Sequence, residues 1–577
     1  MSTRHRTEML KAVPPHLLPY VAEQDPSLYT AIDHASWRFI MKLSQSFFAQ
    51  HAHPKYLDGL EETGISTERI PLIQEMDQKL QKFGWRAVPV IGFIPPAVFM
   101  EFLSLGILPI ACEMRTLEHL AYTPAPDIVH EAAGHAPIIA DPGYAAYLHR
   151  YGELARKVIF SDKDILVYEA VRNLSDTKEN PASTPKQIQD VQEHLDSAIA
   201  DNEYVSEATY LGRMGWWTIE YGMVGNPENP MIFGAGLLSS IGESFHCMDE
   251  QVKKIPITLD AINMSYDITR PQPQLFLTPD FETLGKILEQ FAETLAYKRG
   301  GIEGLAKART AGTVTTTQLD SGVQISGILE EFLLDPKGLP SYLRFRGPVQ
   351  LAESDTEIEW QGPKRHAHGF STPLGRLVGG KSTADLSKEE LEKTTLLKFE
   401  SGIEVRGKFH SSQQKKGKNL VITFSDCTMK KGERVMYKPE WGPFDMVCGE
   451  RIDSVFGGAA DRAKYLEATG GFGQSPRPMK SNLTRENHSL NDLYAHVRTL
   501  RESGTRGAQT ADALQEIHAQ LEKSHRKDWL LRYELLELNQ KLGLKAGWES
   551  AIRERLKEIS KISSDRAEMI QRGLGVL

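Results

Sequence analysis

The chain has 577 residues and a mass of 64.7 kDa, with 40% hydrophobic and 25% charged residues and a formal net charge of −9. That length exceeds one ordinary core, so two to four domains are expected, and the acidic balance argues against general affinity for nucleic acid. The opening MSTRHRTEMLKAVPP lacks the apolar run of a signal peptide, and no stretch approaches the ~20 apolar residues that span a bilayer. Cys112, Cys247, Cys427 and Cys448 are scattered without CxxC spacing, which disfavours a disulfide framework or a zinc cluster. A reducing, cytoplasmic protein without membrane or nucleic-acid partners is the expectation.

Residues 1–28 are Pro-rich and polar and read as an arm. From Ala31 to Ala52 the pattern turns helical, with Ile32, Trp37, Ile40 and Leu43 near three- and four-residue steps. WRAVPVIGF (85–93) is short and β-rich, and Pro95-Pro96 then opens a helix carrying Phe99, Phe102 and Leu103.

The next stretch, YTPAPDIVHEAAGHAPIIAD (122–141), is the centre of the chain. Pro124 and Pro126 force extended backbone ahead of Asp127, which suits an N-cap for a helix through His130, with Gly134 placed for a break. His130 and His135 are five apart. On an unbroken α-helix that spacing overshoots a turn by roughly 140°, so the HExxH metalloprotease pattern does not fit. A distortion at Ala133 or Gly134 would let both imidazoles meet one ion; the bland alternative is two unrelated histidines.

A second stretch, GWWTIEYG (215–222), sets Glu220 alone in an apolar, helix-like run. A buried acid needs a partner, which a bound cation or a distant Arg would equally supply. GAGLLSSIGE (234–243) and YDITRPQP (266–273) follow, then an apolar stripe of Phe281, Leu284, Leu288, Phe291 and Leu295.

His130, His135 and Glu220, with Arg115 seven residues before TyrThrPro (122–124), ProAspIle (126–128) and the GAGLLSSIGE run, resemble the pterin-dependent aromatic amino acid hydroxylases, over roughly Leu28 to Lys298. The resemblance implies the hydroxylase fold, a mainly α catalytic domain. It also implies non-haem Fe(II) on His130, His135 and Glu220, a tetrahydropterin (tetrahydrobiopterin or a relative), and O₂ as co-substrate. Arg115 would clamp the carboxylate of a free amino acid, since guanidinium matches carboxylate bidentately; a surface ion pair is the alternative. Tyr122, Thr123, Gly236 and Ser239 would line the substrate site and Trp216 would wall the ring. Phe99, Ile94 and Glu131 would face the pterin, although Phe99 would serve equally as helix core. Asp127 and Glu243 would support from behind, Glu243 by orienting Arg115 or a histidine ligand, or by an ordinary salt bridge. The resemblance favours L-phenylalanine going to L-tyrosine, because tryptophan hydroxylases carry Phe where Trp216 stands. Gly215 and Pro109 depart from the animal enzymes, and the arm leaves no room for their regulatory domain.

The expected organisation is a catalytic domain over 29–305 with an insertion within 158–208, a β-rich domain over 306–468, a linker over 469–484 and a helical region over 485–577. Within the insertion, Thr184, Pro185 and Gln187 make a capping-box start to one added helix. Thr313–Val349 and Thr394–Tyr437 alternate and are rich in β-branched residues, with a hairpin tip at QQKKGK (413–418). His366 and His368 could share a strand face but lack a third ligand. Trp529, Tyr533, Leu536, Ile552, Leu556 and Ile559 are the candidate core of the tail. The half beyond residue 310 carries no recognised family motif; self-association, regulation or partner binding are its candidate roles. Three functions therefore stand at this point: the hydroxylase (phenylalanine, or tryptophan as alternative), a metal-dependent hydrolase with Glu131 as base, and a scaffold acting through its C-terminal half.

Overall fold

The structure, a computed structural model, describes residues 8–121, 125–179, 183–268, 270–470, 478–544 and 547–577. A helix α1 (Ala31–His51) begins at a capping box in which Thr30 and Asp33 satisfy each other's backbone N–H. It runs buried along most of its length and forms the floor of the largest core. Strands β1 (Arg86–Val90) and β2 (Ile107–Ala111) pair in parallel around helix α2 (Pro96–Ser104), which starts where Pro95 and Pro96 preset the first turn.

Two stretches depart from α geometry. Val129–His135 and Trp216–Glu220 are π-helical, and in the second the bond from Tyr221 N–H to the Trp216 carbonyl (2.8 Å) closes the wider i→i+5 turn. Between them run α3 (Pro142–Ala155), α4 (Asp162–Glu179), α5 (Pro185–Ala200) and α6 (Glu207–Gly215). The insertion thus carries two helices, α4 and α5, where the sequence pattern signals only the second. Ser161 and Asp164 cap α4 reciprocally, but no proline or Gln/Glu at the third position advertises it. Thr184 and Gln187 do form the capping box of α5.

Beyond the second π-helix, β3 (Met223–Asn226), β4 (Asn229–Ile232), β5 (Lys253–Pro256) and β6 (Gln274–Thr278) form a mixed sheet in the order β4-β3-β6-β5. Helices α7 (Ala235–Ser239) and α8 (Ile241–His246) lie inside this segment, and α9 (Phe281–Ala292) and α10 (Gly301–Ala311) follow it.

Residues 314–457 are β-rich. Strands β7 (Val314–Leu319), β8 (Val323–Leu334), β9 (Pro340–Glu353), β10 (Thr356–Glu357), β11 (Gly369–Pro373) and β17 (Ile452–Gly457) make one sheet, ordered β10-β9-β8-β7-β17 with β11 against β9. A second sheet contains β12 (Leu396–Lys398), β13 (Ile403–Lys415), β14 (Lys418–Lys431), β15 (Arg434–Tyr437) and β16 (Phe444–Val447). The tip of the β13–β14 hairpin is the two-residue turn Lys416-Gly417, both at positive φ (49° and 77°), which matches strand twist. His366 is buried and hydrogen-bonded to Gln361 (2.8 Å) while His368 is exposed, so the pair does not share a ligand face.

After α11 (Arg462–Thr469), five α-helices follow among the described residues: α12 (His488–Ser503), α13 (Ala508–Ser524), α14 (Leu530–Leu542), α15 (Glu549–Ile559) and α16 (Ser564–Gly575). They do not stand apart. Trp529 and Tyr533 meet the ring of Phe39 on α1 edge-on, at 5.0 and 4.9 Å between centroids. Arg38 of α1 makes a buried bidentate pair with Glu534 (2.6 and 3.1 Å). Arg572 donates to the Ile241 carbonyl (2.7 Å) and lies 3.7 Å over the Phe245 ring. Trp529→Ala is therefore expected to weaken the whole chain, by about 3–5 kcal/mol for loss of a buried Trp. Urea unfolding followed by far-UV circular dichroism reads it; a loss below about 1 kcal/mol would mean that the tail is energetically separate.

The four cysteines are buried and unpaired. No helix among the described residues is long and apolar enough to cross a membrane.

Candidate metal and substrate site

The two π-helices face each other. In a π-turn the wider pitch brings residues five apart onto nearly one face, which is how His130 and His135 come together. The distortion expected at Ala133 or Gly134 is this π-turn, which runs through both residues without a break. Gly134 is needed for space, since a Cβ there would lie 2.8 Å from the Ala235 carbonyl oxygen on α7. Asp127 does cap the start, accepting from His130 N–H at 3.1 Å.

His130 Nε2 and His135 Nε2 are 3.2 Å apart. Glu220 Oε2 is 3.5 Å from the first and Glu220 Oε1 is 3.4 Å from the second. Donors bound to one cation at about 2.1 Å, at angles between a right angle and a tetrahedral one, stand roughly 3.0–3.4 Å apart. The three groups have that spacing, and two histidines with one carboxylate on one side leave other positions open, the ligand set of non-haem Fe(II) sites.

Ser239 fixes the tautomer of His130. Its hydroxyl donates to the Ala235 carbonyl (2.7 Å), so toward His130 Nδ1 (2.9 Å) it accepts. The imidazole proton then sits on Nδ1 and Nε2 keeps its lone pair for the ion. Ser239, expected to line the substrate site, thus also meets a histidine of the candidate metal site. Burial lowers the pKa of His130 to about 4 against the pull of Glu220, so it is neutral at pH 7. Burial alone would raise Glu220, but His135, His130 and the Gly236 N–H outweigh it and hold it at about 2. His135 is raised: burial lowers it, and Glu220 more than compensates. Glu131 is buried and pushed up to about 8 by that burial, with Oε2 3.9 Å from His135 Nε2 and no hydrogen-bond partner among the described residues.

Arg115 lies almost fully buried against Asp127. Nε and Nη2 each reach an Asp127 oxygen at 2.8 Å, and Nη1 donates to the Ser239 carbonyl at 3.2 Å. Asp127 also accepts from the Arg115 backbone N–H (3.0 Å). One carboxylate therefore holds both the guanidinium and the start of the histidine-bearing turn. Glu243 takes neither of its expected partners. Its carboxylate accepts from the Gln272 backbone N–H, and burial raises it to about 7.

Trp216 is stacked on Tyr266 (4.2 Å, 7°) and on Tyr221 (4.5 Å, 25°). The indole is thus the middle of an aromatic stack rather than a bare wall. Tyr221 and Tyr266 were not singled out by the sequence reading, although YDITRPQP contains the latter. A Cβ on Gly215 would collide with the Tyr151 hydroxyl, which accounts for glycine there. Gly236 lets α7 approach: a Cβ would fall 2.9 Å from the Tyr221 ring and 3.0 Å from the Glu220 carbonyl. Phe99 on α2 and Ile94 just before it are half-buried. Tyr122 and Thr123 lie outside the described residues.

The family model for biopterin-dependent aromatic amino acid hydroxylases matches residues 20–165 and 189–300, both π-helices included. The likeness to this family is confined to residues 20–165 and 189–300, less than half of the chain. The hydroxylase region is 29% identical over 272 residues to a phenylalanine-4-hydroxylase of Pseudomonas aeruginosa, covering 47% of this chain and 87% of that protein. The corresponding figures for the enzyme of Ralstonia nicotianae are 26% over 290 residues, 46% and 77%. Among solved structures, Chromobacterium violaceum phenylalanine hydroxylase with bound iron(III) and 7,8-dihydrobiopterin is 23% identical over 51% of this chain and 94% of that one, at a TM-score of 0.37. The gap in the match, residues 166–188, starts within α4 and ends in the first turn of α5.

Substituting Gly134 by Ala is expected to push the histidine turn off α7 and lengthen the His130–Ser239 bond. Loss of such an orienting contact costs roughly 10–100-fold in metal affinity, readable as Fe(II) retention against a chelator. Unchanged retention would show that the turn accommodates the methyl group.

Proposed function

We propose that this protein is a monooxygenase that hydroxylates the ring of a free aromatic amino acid, L-phenylalanine to L-tyrosine. It would use Fe(II) held by His130, His135 and Glu220, a tetrahydropterin, and O₂. The convergence of those three donors within 3.5 Å carries the reading, supported by the phenylalanine-4-hydroxylase names of the relatives. When bound, iron and reduced pterin supply the electrons that place one atom of O₂ on the ring. The chain's own residues do the rest.

Arg115 has five N–H donors and spends three side-chain bonds on Asp127 and Ser239. The two that remain suit the substrate carboxylate. Charge-assisted bonds from a rotationally fixed guanidinium orient the substrate as well as bind it. The Trp216–Tyr266 stack supplies an apolar wall for the ring, and Phe99 and Ile94 a face for the pterin. Glu131, buried beside the two histidines with its Oε2 free of hydrogen bonds among the described residues, suits a hydrogen bond to the polar edge of the pterin. A catalytic unit over 29–305, completed by the C-terminal helices on α1, is the organisation we favour.

The test is product analysis of Fe(II)-loaded protein given tetrahydropterin, O₂ and phenylalanine, tyrosine or tryptophan separately. Tyrosine formed from phenylalanine supports the reading. No product from any of the three, with iron bound, would sink it.

A further inference from the structure

Phe99 shares the short helix α2 with a buried carboxylate. Glu101 is 4% exposed, and three basic side chains converge on it: His16 Nε2 at 3.0 Å, Arg156 Nη2 at 3.5 Å and Arg462 Nη1 at 2.7 Å. Two of these, His16 and Arg462, lie outside the residues that match the hydroxylase family. Arg462 opens α11, directly after the last strand of the six-stranded sheet. Its Nη2 also donates to the carbonyls of Arg156 (2.7 Å) and Gly457 (3.3 Å). One guanidinium therefore ties the end of β17, the end of α3 and the middle of α2 together. At the other end of the same segment, the Tyr168 hydroxyl of α4 donates to the Phe93 carbonyl at 3.2 Å.

A buried carboxylate is stable only while it is paired. Without Arg462, Glu101 would be left with a half-exposed Arg156 and with His16, and α2 would have to shift to bring it toward water. Phe99, two residues away, would move with the helix, and stacking is sensitive to displacements of that kind.

We propose that Arg462 is a positioning residue for the pterin, delivered by the β-rich half and acting through Glu101 on α2. This rests on the reading of Phe99 and Ile94 as the pterin contact. The half of the chain outside the hydroxylase match would then set the cofactor affinity of the half within it.

The test compares the Fe(II)-loaded full-length chain with Arg462→Ala and Glu101→Gln. The Kd of tetrahydropterin is measured anaerobically by calorimetry, beside the KM values for pterin and phenylalanine. A misplacement near 1 Å can cost up to about 100-fold, and a rise of about 10-fold in pterin Kd and KM is expected, with iron content and phenylalanine KM unchanged. The Glu101→Gln/Arg462→Ala double variant should be no worse than Arg462→Ala alone, because both act through one pair. Should the single variants fail to fold, Glu101→Gln/Arg462→Gln leaves no buried carboxylate unpaired, only the half-exposed Arg156 without its partner, and carries the same comparison. A folded Arg462 variant with wild-type pterin Kd overturns the inference, however much thermal stability it has lost. If the wild-type chain forms tyrosine and binds pterin, such a result leaves the hydroxylase reading standing. If the wild-type chain does neither, that reading fails and takes this one with it.

Discussion

Glu220→Ala is expected to abolish tyrosine formation and stoichiometric iron binding together. Glu220 is the one anionic donor among the three convergent groups, 3.4 and 3.5 Å from the two histidine nitrogens. Without it, two neutral imidazoles 3.2 Å apart remain, a two-ligand site with no charge to offset a divalent cation. The loss should exceed the roughly 10–100-fold that follows removal of a group merely supporting a ligand. The fold should survive, because the substitution removes a partly buried charge instead of creating one. Metal analysis after desalting, alongside circular dichroism, reads both. A folded Glu220→Ala protein that keeps its iron would mean that Glu131 or another donor completes the site.

Asp127→Ala should act on stability as much as on activity. Arg115 is all but sealed from solvent, and Asp127 is its anionic partner, at 2.8 Å on both forks. Breaking a buried pair from one side typically costs about 3–5 kcal/mol, and loss of the cap on His130 N–H adds about 1 kcal/mol. The pH dependence has a definite sign. Burial raises the Asp127 carboxyl, but the Arg115 charge and the N–H groups of Arg115 and His130 outweigh it and hold it below its ordinary value. Its contribution is therefore complete above the unfolded pKa near 3.9 and fades as pH falls through the lower folded value. Urea unfolding at pH 7 and pH 3 should show the gap between wild type and variant narrowing with acid. An equal gap at both pH values would mean that Asp127 acts through packing alone.

The motif residues placed the site in the sequence, but not its geometry. Five-residue spacing of His130 and His135 excluded a plain α-helix, yet only the backbone shows that the answer is a continuous π-turn and not a break at Gly134. The reason is that π-turns have no residue signature of their own; here tertiary packing against α7 decides. Asp127 was legible as a cap but not as the anchor of Arg115, because a side chain twelve residues away leaves no periodic trace. Glu243 was misassigned for the converse reason, being close to the motif in sequence but bonded to the Gln272 backbone. The capping box at Thr184 announced α5, whereas α4 lacked so strong a start. The tail helices were readable as amphipathic, but nothing in Trp529 or Tyr533 told that their partner is Phe39, nearly the whole chain away.

That last contact has a consequence for how the protein is made. Arg38 and Glu534 are separated by 496 positions, and ribosomes add roughly 5–20 residues per second. From the moment α1 emerges, its apolar face and its buried arginine wait on the order of 25–100 s for the segment that covers them. The hydroxylase region cannot reach its final packing during its own synthesis. It must be held soluble, by transient partners or by provisional packing, until the last helices arrive, so the final hundred residues govern the yield of an active site encoded in the first three hundred.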